Sequence, residues 1–115
     1  MHVAIGRLLK EAVHSEHERR SQKRYSFVRP VTVHQPNGTV QLAFSRDLSE
    51  SGIGLIQAEA VDAGRIAEIE IQVPDEPVCL KAEARWCRDY GSGWYLVGWR
   101  FISLTRLQIA SQRAV

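Results

Sequence analysis

Glu68-Ile69-Glu70-Ile71-Gln72-Val73, then Pro74-Asp75-Glu76-Pro77, then Val78-Cys79-Leu80-Lys81-Ala82-Glu83-Ala84-Arg85-Trp86: this stretch decides the fold class. Ile69, Ile71 and Val73 alternate with polar neighbours, the period of a strand with one wet face. Two prolines interrupt the run, since proline fixes φ and donates no ladder hydrogen bond. Val78, Leu80, Ala82, Ala84 and Trp86 then restart the same period against Lys81, Glu83 and Arg85. By that parity Trp86 belongs with Leu80 on the core face, and Glu68, Glu70 and Glu83 face solvent.

Outward from this pair the pattern repeats. Phe27, Val31 and Val33 run into Gln35-Pro36-Asn37-Gly38, a turn signal. Val40, Leu42 and Phe44 follow at alternate positions, so the two runs read as a hairpin. Ser45 to Gly52 is polar and turn-like, Ile53 to Ile56 resumes an apolar strand, and Asp62-Ala63-Gly64 is a further turn. Asp89 to Gly93 reads as a turn before Tyr95, Val97, Trp99 and Phe101 form the last apolar face. About six strands with short turns indicate an antiparallel β-barrel or sandwich. Helical signal is confined to the ends. Ile5, Leu8, Leu9, Ala12 and Val13 have the spacing of an amphipathic helix, and Leu104 to Ala110 predicts a short closing helix. Residues 1–18 are then a helix and linker, and residues 19–115 the barrel domain.

Composition fits this reading. The chain has 115 residues, 44% of them hydrophobic and 24% charged, which suits one globular domain able to bury its own core. Its apolar runs are shorter than the roughly 18 residues of a membrane span, and no secretory leader pattern is present. Membrane insertion is not expected. Cys79 and Cys87, if on one strand, lie about 26 Å apart at about 3.3 Å per residue, too far to bridge. Two reduced thiols predict a cytoplasmic protein; the competing reading is a redox pair joined across a bend. The net charge of +2 hides an asymmetry. Residues 1–29 hold seven Lys and Arg against three Glu, or +4, and the remainder sums to −2. A basic arm on a near-neutral body points to an anionic partner.

Two segments carry the candidate chemistry: Arg19-Arg20-Ser21-Gln22-Lys23-Arg24 before the first strand, and Asp47-Leu48-Ser49-Glu50-Ser51-Gly52 between the second and third. Arginine forks suit phosphates and the O6/N7 edge of guanine. A carboxylate such as Asp47 accepts from guanine N1–H and N2–H₂, and Ser49 both donates and accepts. Gly52 permits a close backbone approach. Taken singly, each has a plainer reading. Arg20 and Arg24 suit a solvated i, i+4 pair, Asp47 and Ser49 suit local turn caps, and Gly52 suits an ordinary turn. Together they match RxxxR at Arg20 to Arg24 and [D/N]xSxxG at Asp47 to Gly52, in order and about 25 residues apart. In this the chain resembles the PilZ domain family over about residues 19 to 110. Ala84-Arg85-Trp86 and Val97-Gly98-Trp99-Arg100-Phe101 add to the resemblance, although Trp99 stands where a smaller aliphatic residue is usual, which puts the packing there in question.

The resemblance implies a six-stranded antiparallel barrel that binds cyclic di-GMP through Arg20, Arg24, Asp47, Ser49 and Gly52. Arg19 is a further candidate, for a second ligand molecule, as is Trp86 if it stacks on a guanine at a barrel end. The expected mechanism has ligand ordering residues 14–24 against the barrel and reorienting the Ile5–Val13 helix. That helix has three candidate roles: a homodimer contact, a partner-binding element, or the end of a neighbouring domain. No catalytic constellation is apparent, so an enzyme is not expected, and His14 and His17 lack the further ligands a metal site needs. No cofactor is called for beyond the ligand, and DNA is not an expected partner. Two other classes stay open: a protein-binding adaptor without nucleotide, and a basic barrel for single-stranded nucleic acid. The latter expects several exposed stacking aromatics on one face, whereas the aromatics here fall mostly on expected inward positions.

Overall fold

A computed structural model of the chain describes residues 23–104. The helix expected over residues 5–13, Arg19, Arg20, His14, His17 and all of the expected closing helix except Leu104 lie outside the described residues. Leu104 itself ends a strand.

The described chain is all β: β1 Tyr25–Ser26, β2 Pro30–His34, β3 Val40–Leu48, β4 Gly52–Gln57, β5 Ile66–Ile71, β6 Val78–Gly91 and β7 Trp94–Leu104. The sheet runs β1-β3-β2-β5-β6-β7-β4, and β4 pairs back on β3. Strands β2 to β7 therefore close into a six-stranded antiparallel barrel, which leaves no free long edge. β1 continues the line of β2 along the same edge of β3. Ser45 holds the break between them: its hydroxyl donates to the Phe27 carbonyl and accepts from the Arg29 amide.

The expected alternation of β5 holds, with Ala67, Ile69 and Ile71 in the core. Val31, Val33, Leu55, Leu80 and Val97 complete a closely packed interior. Trp99 fits it. Its indole is buried, stands opposite the small Ala84, and donates from Nε1 to Gln57 Oε1 at 3.2 Å. Gln57 in turn donates to the Glu59 carbonyl, so the buried polar pair is satisfied. Large beside small across β6 and β7 is how a narrow barrel fills its interior.

Four expectations need correction. Ser45 to Leu48 is strand rather than turn, and β6 runs on past Asp89 to Gly91. Strand β3 also presents the opposite face to that expected from its larger residues. Val31 and Val33 are buried and stand opposite Ala43 and Gln41. Cross-strand partners share a face, so Ala43 goes in and Val40, Leu42 and Phe44 go out. Finally, Trp86 is not in the core. β6 carries one extra residue, Arg85, between the pairs Ala84–Trp99 and Trp86–Gly98. A bulge of this kind shifts every later side chain to the other face.

Cys79 and Cys87 are free and lie on the same strand, β6, so a bridge between them is excluded by strand geometry. Burial, with Glu70 and Glu68 beside it, pushes the Cys79 thiol up to about 12.

Candidate functional site

The interior is filled, so a ligand has to lie on the outer surface. One part of that surface is shaped by two bulges. On β3 the register passes from Ser45–Leu55 to Asp47–Gly54, leaving Arg46 as the extra residue. Without it, Asp47 would share the inward parity of Ala43 and Ser45. With it, the carboxylate turns outward. On β6 the Arg85 bulge does the same for Trp86. Strands β4 and β7 run between these two, and there Gly54 pairs with Gly98.

Both glycines are required by what lies on them. A methyl carbon on Gly54 would stand 2.8 Å from Asp47 Oδ1. One on Gly98 would stand 2.3 Å from Trp86 Cε2 and 2.6 Å from both Cζ2 and Nε1, directly above the ring. The indole therefore lies flat on the Gly98 backbone. Arg88 covers the ring with its guanidinium carbon 4.7 Å from the centroid. The result is a shallow floor in which the two glycines let a carboxylate and an indole lie close against the backbone.

Cations surround this floor. Arg24 Nη1 donates to Asp47 Oδ1 at 2.8 Å, and Arg46 Nε lies 3.5 Å from Oδ2. Asp47 is thus held on both oxygens. Arg24 is not part of a loose arm in this arrangement: it is anchored one residue before β1. A depression of about 140 Å³ is lined by Arg24, Gly52, Arg85, Trp86, Gly98 and Arg100, among others. Arg100 Nη2 is paired to Glu83 Oε1 at 2.7 Å, while Arg85 is exposed. The depression is smaller than the roughly 300–1,000 Å³ that encloses a whole ligand. It can seat one base or one phosphate, with the rest of a ligand spread over the surface.

The five motif positions separate by role. Arg24 and Asp47 face the surface as an ion pair. Ser49 is buried in the β3–β4 turn, where its amide and hydroxyl both donate to the Gly52 carbonyl, at 2.9 and 3.4 Å. At Gly52 a methyl carbon would meet the Trp99 carbonyl oxygen at 2.2 Å, so glycine there lets β4 approach β7. Ser49 and Gly52 shape the turn behind Asp47, and Arg20 lies outside the described residues. Residue patterns missed Gly54, Arg85, Arg88 and Arg100 as members of this surface. The only signal for them is cross-strand register, which joins strands far apart in the chain. A second depression, of about 190 Å³ and at the opposite end of β3, is lined by Gln35, Gln41, Glu59, Asp62 and Arg65, among others. Its carboxylates make it a poor seat for an anion. Among the described residues no cluster of metal-ligating side chains is present, and no helix is long and apolar enough to cross a membrane.

Comparison with known proteins agrees with this architecture. No curated protein matches the sequence. Among solved structures, the chain is similar to the Bacillus subtilis inhibitor of motility (MotI/DgrA), with a TM-score of 0.59 and 20% identity over 85% of this chain and 48% of that one. This chain therefore spans about half the length of that protein. It is also similar to the PilZ domain of YcgR from Escherichia coli, a structure solved with c-di-GMP, with a TM-score of 0.62 and 16% identity over 84% of this chain and 94% of that one. At these identities the likeness is one of fold. The family model of the PilZ domain matches residues 18–113, nearly the whole length, and the chain belongs to the PilZ domain family.

Proposed function

We propose that this chain is a bacterial, cytoplasmic receptor for cyclic di-GMP, a binding module rather than an enzyme. The observation that carries the reading is the pair of bulges that turn Asp47 and Trp86 outward on either side of the Gly54–Gly98 floor. One guanine lies over that floor, against the Asp47 carboxylate and the indole. Asp47, with several lone-pair positions on two oxygens, accepts from the guanine N1–H and N2–H₂ while keeping one arginine. Arg24 then directs its fork to O6 and N7 or to a phosphate. Arg85 and Arg100 supply further charge for the phosphates. A base that stacks on the face of Trp86 covered by Arg88 displaces that guanidinium. Ser49 and Gly52 act by holding the turn, and Arg20 and Arg19 approach from the N-terminal side. The output is a change in the position of the segment before Arg24, which ligand favours only by its differential affinity for the two arrangements.

Titration calorimetry with cyclic di-GMP, with stoichiometry measured, tests the reading. Saturable binding is expected, reduced at least tenfold by Asp47→Ala or Arg24→Ala. Absence of binding removes the proposal in favour of a nucleotide-free adaptor. Equal affinity for a random single-stranded oligonucleotide favours the nucleic-acid reading instead.

A further inference from the structure

The outward turn of β3 leaves an apolar stripe on the barrel. Leu42 is 75% exposed, Val40 54% and Phe44 48%. Ile56 stands beside Phe44 on β4 and Leu96 beside Ile56 on β7, both on the same outer face. Large side chains at three successive outward positions of one strand are not needed to close this barrel. A contiguous apolar patch of this kind marks a contact surface. It is separate from the Gly54–Gly98 floor and begins one outward position further along β3.

We infer that this stripe is the intramolecular docking site of the chain's own N-terminal segment, Ile5 to Val13. That segment carries Ile5, Leu8, Leu9, Ala12 and Val13 on one face at helical spacing, an apolar face with no partner in its own segment. The dimensions match. A helix from residue 5 to residue 13 is about 12 Å long at 1.5 Å per residue, and the stripe from Val40 to Phe44 is about 13 Å at about 3.3 Å per residue. The tether also reaches. β1 pairs with Leu48 and Asp47 at the far end of β3, so Tyr25 lies about 20 Å from Leu42 at the same rise and residue 23 at most about 26 Å. Residues 14–22 extend to about 30 Å. A flexible tether of that length sets an effective concentration in the millimolar range, so the chain's own segment outcompetes a second copy at ordinary protein concentrations. Docking rests on exposure and reach alone, and stands whether or not a nucleotide binds.

The test uses the full chain with Cys87→Ser, so that a spin label attaches only at Lys10→Cys. Buried Cys79, with its raised thiol, does not compete. Docking broadens the methyl resonances of Val40, Leu42 and Ile56 while those of inward Ile69 and Leu80 are affected less. The broadening persists on tenfold dilution. It disappears when Leu9→Asp is introduced in the segment, or Leu42→Gln on the barrel, with thermal unfolding of both variants still cooperative. Three results overturn the inference: sharp stripe methyls in the labelled chain, broadening only when labelled and unlabelled chains are mixed, or a label that moves to anionic vesicles while the stripe stays sharp.

Discussion

Gly98→Ala is the most discriminating perturbation of the proposed surface. The added carbon would sit 2.3 Å from Trp86 Cε2, against about 3.5–4.0 Å for an ordinary carbon contact. The Gly98 backbone is held in ladders with both β4 and β6, so the indole is the part that gives, and it lifts by more than about 1 Å. One face of a tryptophan buries about 100 Å², half of the usual 150–250 Å². At about 25 cal/mol per Å² its full loss costs about 2–3 kcal/mol, and a partial lift costs about 1–2 kcal/mol. Alanine returns roughly 0.4–1 kcal/mol by restricting the unfolded chain. The expected net loss is about 1 kcal/mol, a fall in Tm of about 5 °C. If a guanine stacks on that indole, affinity falls further, by the roughly 1–3 kcal/mol of one base–aromatic stack, about 5- to 150-fold. Thermal unfolding and calorimetry on a double-mutant cycle with Trp86→Ala separate the causes. In the Trp86→Ala background the methyl no longer meets the indole, so Gly98→Ala becomes neutral or stabilising, and the affinity difference vanishes. Equal costs of Gly98→Ala in both backgrounds would refute the reasoning, because contact between the two residues requires non-additivity.

Gly52→Ala places its methyl against the Trp99 carbonyl, a backbone atom, and is expected to destabilise by about 2 kcal/mol or more in chemical denaturation. Trp99→Phe trims the buried ring and leaves Gln57 Oε1 without its donor, the latter a loss of about 1–3 kcal/mol that Gln57→Leu in the same chain should partly recover. Asp47→Ala and Arg24→Ala remove a partly exposed surface ion pair worth about 1 kcal/mol, so thermal unfolding without ligand should move little while binding is lost. Cys79 binds its proton more tightly in the folded chain, at about 12 against an ordinary value of 9.0. Its contribution is fully present below pH 9 and is lost as pH rises from 9 towards 12. Wild-type stability should fall by up to about 1.4 kcal/mol per pH unit more steeply than that of Cys79→Ala over that window; parallel curves would place the thiol outside the core.

The parts that were legible in the sequence are those where one residue advances the strand by one step. Ile69 and Ile71 go inward as their alternation says, and the turn at Pro36-Asn37-Gly38 was readable from residue types alone. Parity counting fails at the first extra residue. Asp47 and Trp86 both follow such a residue, Arg46 and Arg85, and nothing in the composition of either strand marks the insertion. The bulges are a backbone feature, set by how β3 meets β4 and β6 meets β7. Strand β3 went wrong for a different reason. The larger side chains Val40, Leu42 and Phe44 looked like its core face, but hairpin pairing to Val31 and Val33 gives the interior to Ala43. Arg24 and Asp47 were readable as parts of a motif, and the fold brings the two side chains within 2.8 Å of each other. Gly54 and Gly98 were not, since a glycine in a strand means little until its cross-strand neighbour is known.

The same cause that hid the surface from parity counting also makes it possible. A closed six-stranded barrel has a full interior and no free edge, so recognition has to occur on the pleated exterior. Ordinary pleats cover that exterior with side chains and leave no flat bed for a base. Two glycines facing each other across β4 and β7 lower the surface at one place, so that flat groups can lie against the backbone. Two bulges then turn a carboxylate and an indole to its borders, from strands that would otherwise have pointed both inward. All four residues sit on ladders rather than loops, so this half of the surface is in place before ligand arrives and costs little ordering entropy. Arg24 is fixed to that half by Asp47. Under the proposed function Arg24 and Arg88 re-aim only their side chains, and the larger rearrangement falls to the stretch before Arg24, which carries Arg19 and Arg20 and tethers the apolar Ile5–Val13 segment.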